Sequence, residues 1–206
     1  MFSLTPGDLS GNILDCAAGP ASFNAEATRQ GSKVVSCDPI YRFGTEEIRA
    51  RIHATFETLV ANASARREEF VWRDIESPRQ LGEVRMAAMQ LFLEDFPQGL
   101  EQGRYTTDGL PNLRFEDGKF DLALCSHFLF TYSDQLSTGF HVAAIEEMCR
   151  VAHEVRVFPL LKSYGGPSPH LDPVMDALGA RDYRVEIRQV PYEFQRGGNE
   201  MLSVPG

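Results

Sequence analysis

The sequence has few cysteines, and none of them is spaced as a metal-binding pair. The four are Cys16, Cys37, Cys125 and Cys149, and no two of them form a CxxC motif. Structural zinc sites and the disulfide frameworks of small secreted proteins need closely spaced or more numerous cysteines. We therefore expect no metal site, and we expect reduced thiols buried among apolar residues.

Long apolar runs and a basic, apolar leader are also missing. No segment approaches the roughly 20 consecutive apolar residues that a membrane-spanning helix needs. The opening residues MFSLTPGDLSGN lack the basic start and apolar centre of a secretory signal. These absences predict a cytoplasmic protein that does not act in a membrane.

Positive charge is scarce, because 20 Lys and Arg residues stand against 29 Asp and Glu residues, for a formal net charge of −9. Proteins bind duplex nucleic acid mainly by neutralising phosphates with Lys and Arg. The acidic balance argues against such a partner, so the expected substrate is a small molecule or a protein. The oligomeric state stays open.

What is present is the composition of one globular domain. The chain has 206 residues, of which 43% are hydrophobic and 24% are charged. These are ordinary values for a protein with a buried core. We predict a single domain over residues 1–206.

Strand-like and helix-like segments alternate along most of the chain. Short apolar strands are predicted from Asn12, Lys33, Tyr105 and Phe120, with helical segments after the first, second and fourth of them. Such alternation predicts an α/β fold with a doubly wound, mostly parallel sheet of seven strands. The last two strands, joined by a short turn, are predicted to form an antiparallel hairpin at one edge.

The segment between the second and third strands is too long for a simple crossover. Ile48, Ile52 and other apolar residues recur there at helical spacing, which predicts one helix. Ser77, followed by Pro78 and by Gln80 three residues on, is typical of the start of a second helix. We therefore predict a helical insertion at about 44–98.

An acidic residue follows or ends each of the first three strands: Asp15, Asp38 and Asp108. In doubly wound sheets, ligands bind beyond the carboxyl ends of the strands, where the strand order reverses. Asp38 can accept hydrogen bonds from a ribose diol, and Asp108 from an exocyclic amine. The small residues after Asp15 let the backbone approach a ligand closely. The pattern predicts a site for an adenosine group.

These segments resemble the motifs of class I S-adenosylmethionine-dependent methyltransferases. ILDCAAGPASF resembles the glycine-rich first motif, and Asp38 stands where that family has its ribose-binding acid. The stretch from Asp108 to Leu122 resembles the family's passage from third to fourth strand, and Cys125-Ser126-His127 falls at the fourth motif. The resemblance covers most of the chain apart from the insertion. It implies a Rossmann-like fold with S-adenosyl-L-methionine as cofactor, and the implied cofactor-binding residues are Asp15, Ala17, Ala18, Gly19, Pro20, Asp38, Asp108 and Ser126.

The first loop departs from the family pattern, because Gly19 is its one glycine and Ala17 and Ala21 replace the others. Two functions therefore stay open. The first is methyl transfer to an unidentified small-molecule or protein acceptor. The second is a non-catalytic methyltransferase-like domain that binds the cofactor or a partner. A nicotinamide-dependent oxidoreductase ranks below both, because it needs G-x-G-x-x-G after the first strand.

The catalytic residues stay unassigned, with His127 and Tyr132 as candidates on the loop after the fourth strand. A neutral histidine can accept a proton near physiological pH. Methyl transfer depends more on aligning the two reactants than on strong acids or bases. Whether His127 is a base or a scaffold residue therefore stays open.

Overall fold

The computed structural model describes residues 1–163 and 165–206, which fold as helices around a mixed sheet. In this part of the chain the strands are β1 Asn12–Cys16, β2 Lys33–Cys37, β3 Tyr105–Thr106, β4 Phe120–Ser126, β5 Ala152–Phe158, β6 Glu186–Gln189 and β7 Glu200–Pro205. The α-helices are α1 Pro6–Ser10, α2 Phe23–Arg29, α3 Thr45–Ala65, α4 Pro78–Glu101, α5 Thr138–Val151 and α6 Leu171–Gly179.

The seven strands lie in the order β3-β2-β1-β4-β5-β7-β6. The first five pair in parallel, and β7 runs antiparallel to both β5 and β6. The predicted α/β fold is confirmed, with the strand order reversing between β1 and β4. One detail is wrong: residues 190–199 join β6 to β7, so the connection is a ten-residue loop rather than a short turn.

The centre of the sheet is apolar, as parallel strands covered by helices require. Cys16 is the register partner of both Cys37 and Cys125, and all three are fully buried free thiols. Cys149, on α5, is half-buried. The prediction of buried thiols therefore holds for the three strand cysteines.

Helices α3 and α4 lie between β2 and β3 and pack against each other. Ser77 caps α4, since its Oγ accepts the Gln80 N–H at 3.1 Å. The Gln80 side chain instead accepts from the Glu76 N–H at 2.6 Å, one residue earlier than a capping box requires. The two helices and the adjoining strand enclose an aromatic-rich cluster that includes Tyr41, Phe92, Phe96 and Tyr105.

The loop between α3 and α4 reaches the β6–β7 connection through three aromatic rings. Phe70, Trp72 and Phe194, which we call the aromatic clasp, have ring centroids 5.0–5.6 Å apart. The Val71 N–H also donates to the Phe194 carbonyl at 2.7 Å. Because β2 and β7 lie on opposite sides of β1 and β4 in the sheet, the α3–α4 pair must span the edge formed by the carboxyl ends of the central strands.

Within the described residues, no helix combines the length and apolarity that crossing a membrane requires.

Candidate functional site

The loop after β1 turns back over the end of β2. Ala17 and Gly19 both have positive φ, 51° and 56°, which makes the turn tight. The Ala18 N–H donates to the Cys37 carbonyl at 3.3 Å, and the buried Tyr41 hydroxyl donates to the Gly19 carbonyl at 2.7 Å. Pro20 follows in the same loop and is half-buried. Hydrogen bonds to the end of β2 and to Tyr41 therefore hold the backbone of this loop in place.

Asp38, the residue after β2, joins that loop to the next one. Its Oδ2 accepts the Gly19 N–H at 2.9 Å, and its Oδ1 accepts the Ile40 N–H at 2.8 Å, which caps a short 3-10 helix. A carboxylate has about four acceptor positions. These two bonds therefore leave lone pairs on both oxygens for a ligand.

Asp15 is the most buried of the three acids and lies beside Ser36 in the β1–β2 register. Burial raises the pKa of Asp15 to about 7; the hydrogen bond from Ser36 opposes this rise, and the negative charge of Asp38 adds to it. The carboxyl group is therefore close to half-ionised at neutral pH.

Asp108 lies two residues beyond β3 and is paired with Arg114. Its Oδ1 accepts the Arg114 Nε–H at 2.7 Å and the Arg114 backbone N–H at 3.2 Å. Burial disfavours the charged form, but these bonds outweigh it and hold the pKa of Asp108 below its ordinary value. The Asp108 loop meets the Asp38 loop, because a Cβ added to Gly109 would lie 2.8 Å from the Pro39 Cγ.

Ser126 ends β4, the strand beside β1, and contacts His127, the residue that follows it. The Ser126 Oγ lies 2.9 Å from the His127 Nδ1. His127 has a φ of 52°, and its N–H donates to the Phe158 carbonyl at 2.7 Å. The residue as a whole is exposed, but partial burial of the ring against Phe158, and then the charges of Arg85 on α4 and of the N-terminus, lower the pKa of His127 to about 4. This histidine is neutral at pH 7.

Tyr132, on the loop after β4, lies at the surface. Its side chain is 47% exposed, and its ring contacts that of Phe128. It lines a groove of about 390 Å³ together with residues from the end of α3 and the segment after β5, including Arg66 and Lys162. Among the hydrogen bonds of residues 1–163 and 165–206, none joins Tyr132 to the three acids.

The structure thus brings together most of the residues that the sequence singled out. The β1 loop and Asp38 are joined by a hydrogen bond. Asp15 is buried in β1, just before that loop. Asp108 lies next to the Asp38 loop, which Gly109 contacts at Pro39. Sequence reasoning missed Ser36, Asn24 and Arg114, which contact these acids directly or through one another. The one visible signal was a polar Ser36 inside the apolar strand KVVSC.

Comparisons with known proteins place the chain among relatives of the same fold. No protein-family model matches it. It is 31% identical over 205 residues to "uncharacterized protein MJ0045" of Methanocaldococcus jannaschii, a match that covers 99% of this chain and 90% of the relative.

Two solved structures illustrate the fold. The methyltransferase domain of a bacterial protein, CtHen1-CN, has a TM-score of 0.50 and 9% identity, over 97% of this chain and 93% of that one. A SAM-dependent methyltransferase from Aquifex aeolicus has a TM-score of 0.46 and 13% identity, over 96% and 81%. At such identity the first likeness, together with the strand order, shows the fold alone.

Proposed function

We propose that this chain, which belongs to the same family as MJ0045 of M. jannaschii and has the class I methyltransferase fold, binds S-adenosyl-L-methionine at the carboxyl ends of β1, β2 and β3 and catalyses methyl transfer in the cytoplasm. The acceptor is a small molecule or a protein.

The hydrogen bond from the Gly19 N–H to Asp38 is the observation that carries this proposal. It joins the β1 loop to the β2 acid at the point where the strand order reverses, which is where such folds bind ligands. A Cβ added at Gly19 would meet no atom within 4 Å, so the loop has open space on its outer side. A small ligand has room to approach this backbone.

The residues present fit the cofactor. Asp38 has free lone pairs for a ribose diol, Asp108 has an oxygen outside the Arg114 bonds for the adenine amine, and Asp15 offers a carboxylate to the ammonium group. Backbone from Ala17 to Pro20, with Ser126 opposite, completes the set. When bound, the cofactor supplies a sulfonium methyl group, and the protein's part is to orient the acceptor towards it.

We also propose that residues 1–206 act as one domain, in which the insertion at about 44–98 closes over the site. Two observations support this role: the aromatic clasp, and the electrostatic effect of Arg85, on α4, on His127. Both indicate that the inserted helices lie near the carboxyl edge of the sheet. Tyr132 and the groove that it lines are then the place where an acceptor enters.

A non-catalytic role is the second proposal, and the pairing of Asp108 with Arg114 favours it. One oxygen of the acid that would hold the adenine amine already has two donors. Ala17 also places a methyl group in a loop where the family usually has glycine. A domain that binds the cofactor or a partner without turnover would tolerate both features.

Calorimetry with S-adenosylhomocysteine and with NAD tests the proposal. We expect binding of the first and none of the second. Asp38→Ala removes an ionised acceptor worth about 1.5–3 kcal/mol, so affinity should fall about 10- to 150-fold. Asp176→Ala, which removes an exposed acid on α6, is the matched control and should leave affinity unchanged. Equal affinity in the Asp38→Ala variant would show that the ribose placement is wrong.

A further inference from the structure

A line of buried polar side chains runs from Asp15 away from the site towards α4. Asp15, Ser36 and Asn24 are 6%, 1% and 1% exposed. They are followed by Arg104 and by Asp95 on α4, whose side chains are also largely buried. Buried polar groups of this kind are hydrogen-bonded in native proteins, and the direction of each bond can be determined.

Arg104 fixes the far end of the line. Its guanidinium donates two hydrogen bonds to the Asp95 carboxylate at 2.7 and 2.9 Å, and the Tyr105 hydroxyl donates to the same carboxylate at 2.8 Å. Arg104 Nη1 also donates to the Asn24 Oδ1 at 2.6 Å. Because a guanidinium can only donate, the oxygen of the Asn24 amide must face Arg104.

The orientation of Asn24 then determines that of Ser36. With its oxygen towards Arg104, Asn24 turns its NH₂ group to the Ser36 Oγ, which accepts at 3.1 Å. The single hydroxyl proton of Ser36 is left to donate to the Asp15 Oδ2 at 3.4 Å. The two hydrogens of the NH₂ group serve the two nearest acceptors, the Arg104 carbonyl at 3.0 Å and the Ser36 Oγ at 3.1 Å, while the Val34 carbonyl lies farther away at 3.3 Å.

We propose that Asn24 and Arg104 are positioning residues, which aim the Ser36 hydroxyl at Asp15 and so keep that carboxyl group an acceptor for the cationic group of its ligand. The identity of that group, the ammonium of an amino-acid-like cofactor, rests on the proposed function. The direction of the hydrogen bonds does not.

The surroundings of Asp15 disfavour its ionised form, so a hydrogen bond donated to the carboxylate matters there. A hydrogen bond donated to a carboxylate favours its ionised form, whereas burial and negative neighbours disfavour it. The titratable groups that face Asp15 from the adjoining elements are Asp38, Tyr41, Cys16 and Cys125. None of these neighbours is cationic, whereas the hydrogen bond from the Ser36 hydroxyl favours the carboxylate.

The line also joins Asp15 to the inserted helices, since Asp95 belongs to α4. Arg104 precedes β3 and its carbonyl accepts both the Ser36 N–H at 2.8 Å and the Asn24 amide at 3.0 Å. Movement of α4 relative to β3 would therefore change the hydrogen bonds of Arg104 and Asn24, and through them the position of the Ser36 hydroxyl that contacts Asp15.

An NMR titration of the Asp15 carboxyl carbon in the protein without added ligand tests the inference directly. Ser36→Ala removes the donor and Asn24→Leu removes the group that aims it. Each should raise the Asp15 titration midpoint by about one pH unit. Thr28→Val is the control, because it removes a donor to the Asn24 oxygen at 3.4 Å but keeps the Arg104 bond that orients the amide. An unchanged midpoint in folded Ser36→Ala would overturn the inference even if Asn24→Leu does not fold.

The affinity for S-adenosylhomocysteine between pH 5.5 and 8.5 gives a second readout. A rise of about one pH unit lowers the ionised fraction of Asp15 at pH 7 about fivefold, and affinity should fall by a similar factor. In an Asp15→Asn background the Asn24→Leu change should have no pH-dependent effect. Failure of the wild type to bind would count against the proposed function, while the ligand-free titration would still decide this inference.

Discussion

Ala17 adopts a backbone conformation that glycine adopts with less strain. Its φ is 51°, a region that disfavours a Cβ by about 1–2 kcal/mol. Glycine loses more freedom on folding, so Ala17→Gly should raise the free energy of unfolding by a net of about 0.5–1 kcal/mol. Urea denaturation measures it.

Ala21 is the matched control for this change. It replaces another glycine of the family motif but is not among the residues with positive φ, so Ala21→Gly should be neutral or destabilising. Equal effects of the two substitutions would mean that the Ala17 backbone is not strained in solution. If Ala17→Gly also strengthens binding of S-adenosylhomocysteine, the missing glycine had weakened the site.

The environment of His127 favours a scaffold role over a role as a general base. With a pKa of about 4 it is neutral at pH 7 and a weak proton acceptor, and its ring packs on Phe158. We expect His127→Ala to lower the melting temperature while cofactor affinity stays unchanged. A loss of turnover of about 10²–10⁴-fold per folded molecule, with normal stability, would instead identify a general base.

At the scale of elements, the aromatic clasp holds the α3–α4 loop to the β6–β7 connection. Phe194→Ala removes the ring that stacks on Phe70, which should lower the free energy of unfolding by about 1–2 kcal/mol because the ring is half-buried. Amide exchange in residues 66–77 should accelerate, while exchange in β4 stays slow.

Phe115→Ala removes another half-buried ring, outside the clasp, and should leave exchange in residues 66–77 unchanged. Bound S-adenosylhomocysteine should slow exchange in the inserted helices of the wild type. Equal exchange with and without it would show that these helices are scaffold and not a lid.

At the scale of the whole molecule, Asp15 makes stability depend on pH in a direction unusual for an acid. Its pKa is about 7 in the folded protein and near 3.8 in the unfolded chain, so the folded state binds more protons between these values. The contribution of Asp15 to the free energy of unfolding should therefore fall as pH rises from about 4 to 7. The loss is nearly complete by about pH 8.

Asp15→Asn removes this dependence, because the amide cannot ionise. At pH 8 the variant should be more stable than the wild type by about 2–4 kcal/mol, and at pH 4 the two should be alike. Asp176→Asn, on the exposed face of α6, should follow the wild-type pH curve. Parallel curves for Asp15→Asn and the wild type would mean that Asp15 ionises normally.

The fold could be predicted from the sequence, because the signals for it are local and repeated. Apolar runs such as Ile13 to Cys16 and Phe120 to Cys125 predict buried strands, and helical spacing in 48–63 predicts α3. The sequence also placed Asp15, Asp38 and Asp108 at one edge, since parallel strands bring their carboxyl ends together.

The contacts of these acids, in contrast, depend on the folded chain. Arg114 reaches Asp108 across six residues, and Asn24 meets Arg104 across eighty, so no pattern of spacing predicts either pair. The length of the 190–199 connection was misjudged for the same reason, since Phe194 is held by Phe70 and Trp72 rather than by local turn residues. Hydrogen bonds and packing between distant segments depend on geometry that exists only once the sheet has formed.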